Sequence, residues 1–471
     1  MRRRSRTFLA VLLLAFLAGV GCAHYPLNVP LAAYRPDRGY RFEALASDGN
    51  TESLFICLTF SGGGTRAAAL AYGVLEKLQG TAIAWKGAGK RLLDEVDCIS
   101  SVSGGSFTAA YYGAFGERLF ADFRERFLER NIERELILRL LNPVNLVRLA
   151  SPTFSRIDLA AELYHETIFA ERTFDTFPAG RRRPFVIMNA TNLVNGERFE
   201  FTQEQFDVLG SDLGPYPVAR AVAASSAFPF LLSPISLQNY PSPPGYSPPQ
   251  EYQNALQDYE TNRRRFHWAR NQMLYLNEGK TTQPYLHLMD GGLADNIGLR
   301  AIDNAYRRSN GFIRRLLNDG QIEKLVLIVV NARTDPQEAL GHREAPPGLA
   351  TVAYKTATIS LDNYSFETVE LMKDLLEERR KAQQDLEACQ RLLDQRCPGG
   401  PRLPALPVVV DPYVIEVNFE AIPDAERRKY FLELPTNFDL TPEQVQALIA
   451  VGKELLDRSP EFRRLLQALG Q

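Results

Sequence analysis

Three short stretches of this sequence set reactive side chains beside glycine in ways that point to bond-making chemistry. In the first, the apolar run Val96–Val102 leads into Ser103-Gly104-Gly105-Ser106, and small residues follow at Ala109 and Ala110. A serine at a sharp strand-to-helix junction, with glycine two residues on, is the nucleophile-elbow pattern: the turn exposes Oγ and Gly105 avoids a clash behind it. Ser101 stands where that pattern usually has its first glycine, and Ser100, Ser101 and Ser106 lack the elbow spacing. In the second, Gly62-Gly63-Gly64-Thr65-Arg66 precedes a helical pattern, so backbone N–H groups can converge at a helix N-terminus to receive an anion. The loop lacks the Gly-Lys-Ser/Thr ending of a phosphate loop and the G-x-G-x-x-G spacing of a dinucleotide site, which leaves a transition-state oxyanion as the anion in view. In the third, Asp290-Gly291-Gly292 ends a short strand pattern, where open α/β sheets place catalytic groups. Each stretch alone also fits a plain turn; the three together point to one site.

The elements that must position these groups can be read from periodicity. Leu54–Phe60, Val96–Val102 and Leu325–Val330 are short apolar runs suited to strands buried on both faces, and Tyr285–Met289 reads as a further short strand. Leu70, Val74, Leu75 and Leu78 recur at helical spacing after the glycine loop. The expected fold is α/β, a mainly parallel sheet with helices on both faces and helical insertions. From Phe366 to Leu393 the pattern predicts a long amphipathic helix; Val408–Val410 and Tyr413–Phe419 read as strands that rejoin the sheet, and Thr441-Pro442 as a helix start. Residues 51–471 are therefore expected to form one catalytic domain, with insertions near 238–283 and 336–405. The first insertion holds five prolines between Tyr240 and Gln250, then Tyr252, Tyr259, Phe266 and Trp268; it fits a lid over the site or a packed surface helix, the commoner outcome.

These motifs, in this order, resemble the patatin-like phospholipases. The resemblance spans roughly residues 54–335 and includes Pro184–Thr191, Phe201-Thr202 and the stretch from Ala219 to Pro229 ending Ala-Ser-Ser-Ala-Phe-Pro. It implies a three-layer fold and a serine acyl hydrolase that cleaves carboxylic esters of phospholipids or other lipids. It also implies a Ser103–Asp290 dyad, an oxyanion hole at Gly62, Gly63 and Gly64, supporting roles for Arg66, Gly105, Gly291 and Gly292, and calcium independence. The five histidines bear on the dyad independently: only His342 follows Asp290 as a triad would require, and His287 is expected in the core on the opposite face of the strand from Asp290. Asp295 and Asn296 read as structural. An Asp is a weak base for an alcohol at its usual pKa of about 3.9, so the site should be dehydrated. A catalytically inactive lipid-binding or scaffold protein of the same fold is the alternative reading.

Composition sets the remaining bounds. Among 471 residues, 54 Lys and Arg face 56 Asp and Glu, a balance without the basic excess that nucleic-acid binding requires. Arg2, Arg3, Arg4 and Arg6 precede the apolar run Phe8–Val20, the layout of an export signal over residues 1–21. Cys22 resembles a lipoprotein lipidation site, although Gly19 replaces the usual leucine; cleavage after Ala23 is the alternative. Residues 22–50 are then a tether, and the protein is exported and held at a membrane by its lipid, or else secreted. Cys57 and Cys98 read as packed thiols, whereas Cys389 and Cys397 are spaced to close a small disulfide loop. No cofactor and no metal site is expected.

Overall fold

The computed structural model describes residues 23–47, 49–87, 89–334, 341, 344–400, 402–403 and 411–471. The expected signal segment, Cys22, His342 and the Val408–Val410 strand lie outside them. An eight-stranded sheet organises the molecule: β1 (Leu54–Phe60), β2 (Val96–Val102), β3 (Phe185–Asn192), β4 (Arg198–Glu200), β5 (Ile235–Gln238), β6 (Tyr285–Asp290), β7 (Lys324–Asn331) and β8 (Asp411–Asn418). Their order is β8-β7-β1-β2-β3-β6-β5, with β4 paired to β3. Five strands, from β8 to β3, run parallel; β6 is antiparallel to both β3 and β5. Every residue of β1, β2 and β3 is buried, as central strands covered by helices on both faces require. The edge strand β8 alternates between buried and half-buried residues.

The helices used below are α1 (Gly64–Gln79), α2 (Gly104–Phe115), α3 (Arg156–Thr167), α4 (Val218–Ser225), α5 (Leu299–Arg307), α6 (Leu349–Arg396), α7 (Pro442–Arg458) and α8 (Pro460–Ala468). Together they make the expected three-layer α/β arrangement. Helix α1 crosses α7 with backbones nearly touching: a Cβ on Gly73 would sit 2.3 Å from the carbonyl oxygen of Ile449, so glycine sets that crossing distance. The long helix α6 extends beyond the periodic stretch that predicted it, and Val369, Met372 and Leu376 are the buried part of its stripe.

Four expectations need correction. The segment expected as a tether packs onto the body: Val29-Pro30 pairs with Ser211-Asp212, Tyr40, Phe42 and Leu45 are buried, and Arg41 pairs with Asp207. Its aromatic residues join the core, which outweighs the chain-extending effect of its prolines. Cys57 and Cys98 are disulfide-bonded, because β1 and β2 place them directly opposite one another with Cα atoms 4.6 Å apart. Cys389 and Cys397 are free and exposed. Finally, His287 faces away from the core, as alternation along β6 dictates for the neighbour of buried Leu286 and Leu288, and its Nδ1 lies 2.8 Å from Ser236 Oγ.

Candidate active site

Strand β2 ends at Val102 and helix α2 begins at Gly104, leaving Ser103 to make the turn alone. It does so at φ +48° and ψ −120°, a conformation that costs a non-glycine residue about 1–3 kcal/mol. Surrounding bonds hold it there. The Ser103 N–H donates to Ser225 Oγ (2.9 Å), whose own hydroxyl donates to the carbonyl of Asn189 (2.6 Å). Ser106 Oγ lies 2.9 Å from Ser225 Oγ, and the N–H of Gly105 donates to Ser61 O at 3.2 Å. A Cβ on Gly104 would lie 2.0 Å from the Gly64 carbonyl oxygen, and one on Gly105 2.6 Å from that of Ser61. The elbow and the glycine loop are thus packed backbone against backbone, which explains why both are glycine-rich.

The loop between β1 and α1 turns through Gly63 at φ +136° and Gly64 at φ +59°, conformations that glycine adopts without a steric penalty. Gly62 is already engaged: its N–H donates to Asn296 O at 2.8 Å. Among the described residues, no acceptor meets the N–H groups of Gly63 or Gly64. Arg66, buried in the first turn of α1, donates from Nε to Ala332 O (3.0 Å), and from its two other nitrogens to Leu434 O (2.5 Å) and Thr436 Oγ1 (2.9 Å). Its role is therefore to clamp the glycine loop to the 434–436 segment, and a surface position is ruled out. The Thr65 N–H adds a bond to Asn437 O at 2.9 Å.

Asp290 arrives from the other direction. Strand β6 runs against β3, and its last residue pairs with Ala190, one step beyond Asn189, which pairs with Val102. That register, in an antiparallel strand, brings the buried carboxylate level with the elbow, beside the Ser103 side chain. Gly292 N–H donates to Asp290 Oδ1 at 2.8 Å, and a Cβ on Gly291 would meet Asn189 O at 2.2 Å. Burial pushes the Asp290 carboxyl up to about 6, against the opposing pull of the Gly292 hydrogen bond and of the neighbouring Ser103 side chain. Asp295 accepts the Arg300 N–H (2.7 Å) and Asn296 anchors Gly62, the structural parts expected of them.

Above Ser103 opens a cavity of about 490 Å³, walled by Phe228, Phe230, Leu231, Phe438 and Gly64, with Glu133 as the charged residue on its lining. The insertion after residue 240 does not border it. Tyr252 and Trp268 line a separate cavity instead, with Arg308 stacked 4.1 Å over the Trp268 ring, so the insertion packs on the body and is no lid. Sequence reasoning did not assign Ser225, Glu133 or the 434–438 loop. Ser225 lies inside the Ala-Ser-Ser-Ala-Phe-Pro stretch singled out above, whereas Glu133 and the loop carry no local signal. Among the described residues there is no acidic, histidine or cysteine cluster able to hold a metal ion.

A patatin-like phospholipase family model matches residues 58–303, more than half of the chain and the whole stretch from the glycine loop to Asp290. The chain belongs to the patatin-like phospholipase family. No curated protein matches it. Among solved structures, this patatin-like chain is similar to human GIVD cytosolic phospholipase A2, at 17% identity over 66% of its own length, with a TM-score of 0.37. A second structure of that protein, in complex with methyl gamma-linolenyl fluorophosphonate, matches at 14% identity over 89% of the chain and 59% of its own, with a TM-score of 0.40. VipD from Legionella pneumophila matches at 13% identity over 96% of the chain and 73% of its own, with a TM-score of 0.30. The chain spans about half the length, 49%, of the first of these.

Proposed function

We propose that this patatin-like protein is a serine acyl hydrolase that cleaves carboxylic ester bonds of lipids through Ser103 and Asp290. The observation that carries the reading is the placement of the elbow serine, on the lining of an apolar cavity, beside a buried carboxylate whose burial raises it to about 6. Asp290 accepts the Oγ proton as Ser103 attacks the ester carbonyl. The free N–H groups of Gly63 and Gly64 receive the oxyanion; Gly62, bonded to Asn296, contributes by shaping the loop. Asp290 then returns the proton to the leaving alcohol, and the acyl-enzyme is hydrolysed by a water that Asp290 deprotonates in turn. Gly105 and Gly291 support the reading by letting neighbouring backbones approach, Gly292 by its N–H bond to Asp290, and Arg66 by fixing the loop.

The address belongs to the same proposal. Export through residues 1–21 and lipidation at Cys22 would hold the enzyme at a membrane, and the Cys57–Cys98 bond suits an oxidising compartment. No helix among the described residues is long and apolar enough to cross a membrane. The test is to treat the protein with an alkyl fluorophosphonate and map the adduct by mass spectrometry while following p-nitrophenol release from acyl esters. Labelling at Ser103, with both signals lost in Ser103→Ala, is the expected result. Undiminished hydrolysis by that variant sinks the proposed nucleophile. Mass spectrometry of the protein's N-terminal peptide, expected to carry diacylglycerol on Cys22, tests the anchor.

A further inference from the structure

Beside the Ser103 cavity the chain carries an apolar face that the described residues leave uncovered. Two helices, Ile132–Leu141 and Pro143–Arg148, meet at Asn142, whose side chain caps the second by accepting the Val144 N–H at 2.9 Å. Ile137, Leu138, Leu141, Val144 and Leu146 are each between 51% and 68% exposed. A cluster of large aliphatic side chains in water is uncommon without a partner. Two arginines of the same hairpin turn toward the body, while Arg134 is exposed. Arg139 pairs with Glu166 and Arg148 with Glu162 at 2.9 Å, both on α3, while Arg130 pairs with Glu135 at 2.6 Å. The two pairs to α3 fasten one side of the hairpin to the body and leave its aliphatic side outward.

The hairpin is also continuous with the cavity wall. The Ile132 N–H donates to Phe438 O (3.2 Å), and Glu133 Oε1 accepts the Phe438 N–H (3.0 Å). Phe230 and Leu231, 68% and 59% exposed, line the same cavity. We propose that the 132–148 hairpin and the Phe230-Leu231 loop form a docking face for a lipid surface, which sets the cavity mouth against the bilayer. The inference rests on the lipid-ester reading above. A second copy of this chain seated on the face would cover the mouth that substrate must enter, and with Arg139 and Arg148 paired, Arg134 is the one exposed arginine of the hairpin without an ion pair among the described residues, too little charge for an electrostatically driven partner. Apolar insertion, with weak dependence on anionic lipid or salt, is the mode the face supports.

The experiment uses the full chain carrying Cys22→Ser, so that no acyl anchor contributes, and phosphatidylcholine vesicles in a flotation assay. The combined Leu138→Ser, Leu141→Ser and Val144→Ser variant should lose vesicle binding by about tenfold or more. Its hydrolysis of a soluble short-chain p-nitrophenyl ester should stay within about twofold of the parent. Equal flotation of variant and parent overturns the proposal, as does an equal loss of soluble-ester hydrolysis, which would make the hairpin a shaper of the cavity. A dimer dispersed by the triple substitution, with no flotation of the parent, overturns it in favour of a second copy. Leu141→Trp, which keeps an apolar side chain, reads the same contact: its emission should shift to the blue on adding vesicles, and an unchanged spectrum also overturns the proposal. Flotation of Ser103→Ala protein measures docking without turnover, so failure of the hydrolase reading and failure of the docking face remain distinguishable.

Discussion

The junction around Ser103 borders the cavity, the apolar rim on the hairpin joins the cavity wall through Ile132 and Glu133, and the two are built on opposite terms. At the junction, Gly104 approaches Gly64 so closely that a single methyl group has no room, and Ser103, Ser225 and Asn189 form an unbroken chain of hydrogen bonds. At the rim, Leu138, Leu141 and Val144 touch little and are more than half exposed. The difference separates two demands on such a molecule. Proton transfer and oxyanion binding need atoms fixed to a few tenths of an ångström, whereas contact with a fluid surface needs only apolar area facing outward.

Substitutions should split along that line. Ser103→Ala should lower kcat by at least about 10³-fold, the scale of a lost nucleophile with its base, while thermal unfolding stays close to the parent's. Gly104→Ala places a Cβ 2.0 Å from Gly64 O, so it should cost about 3 kcal/mol or more in urea unfolding; Leu141→Ala at the rim should change stability by less than about 0.5 kcal/mol. Comparable costs at the two sites would erase the contrast.

Protonation offers a finer test. In the proposed mechanism hydrolysis needs Asp290 ionised, so the rate should fall about tenfold per unit below pH 6 and level off above it, as a pH profile of kcat would show. The sign for stability is the reverse. The folded protein binds the Asp290 proton more tightly than the unfolded chain, so this carboxyl stabilises the fold below about pH 4, and that contribution is lost as pH rises through about 6. Asp290→Asn should accordingly raise stability near pH 8, by no more than about 3 kcal/mol, with little gain at pH 4. Smallest of the set, Ser225→Ala removes the acceptor of the Ser103 N–H and should slow hydrolysis by roughly tenfold, with KM little changed.

Much of the site is legible in the sequence because its constraints are local. Gly62–Gly64, Ser103 and Asp290-Gly291-Gly292 each sit at the end of an apolar run, and a residue in a tight turn declares itself through its glycines. What escaped was settled by pairing between distant segments. Nothing near Asp290 reveals that β6 runs antiparallel to β3, yet that register lifts the carboxylate to the elbow. Cys57 and Cys98 read as core thiols until β1 and β2 are placed side by side in register. Residues 23–47 lacked periodicity because they cross the surface irregularly, burying aromatic residues one at a time. The apolar hairpin was missed for a different reason: it turns ion-pairing arginines toward the body and aliphatic side chains outward, the reverse of the arrangement that helical periodicity is read against.

The clamp formed by Arg66 redraws the boundary of the catalytic unit. The family-matched segment ends at residue 303, yet the guanidinium in the first turn of α1 finds acceptors at Ala332, Leu434 and Thr436, and Phe438 closes one wall of the cavity. A fragment cut at the matched boundary would strand a buried cation and leave the cavity open on one side. During synthesis, likewise, the ribosome must release residues 434–438 before the glycine loop can be locked, so the loop stays unfastened until a segment more than 360 residues downstream is made.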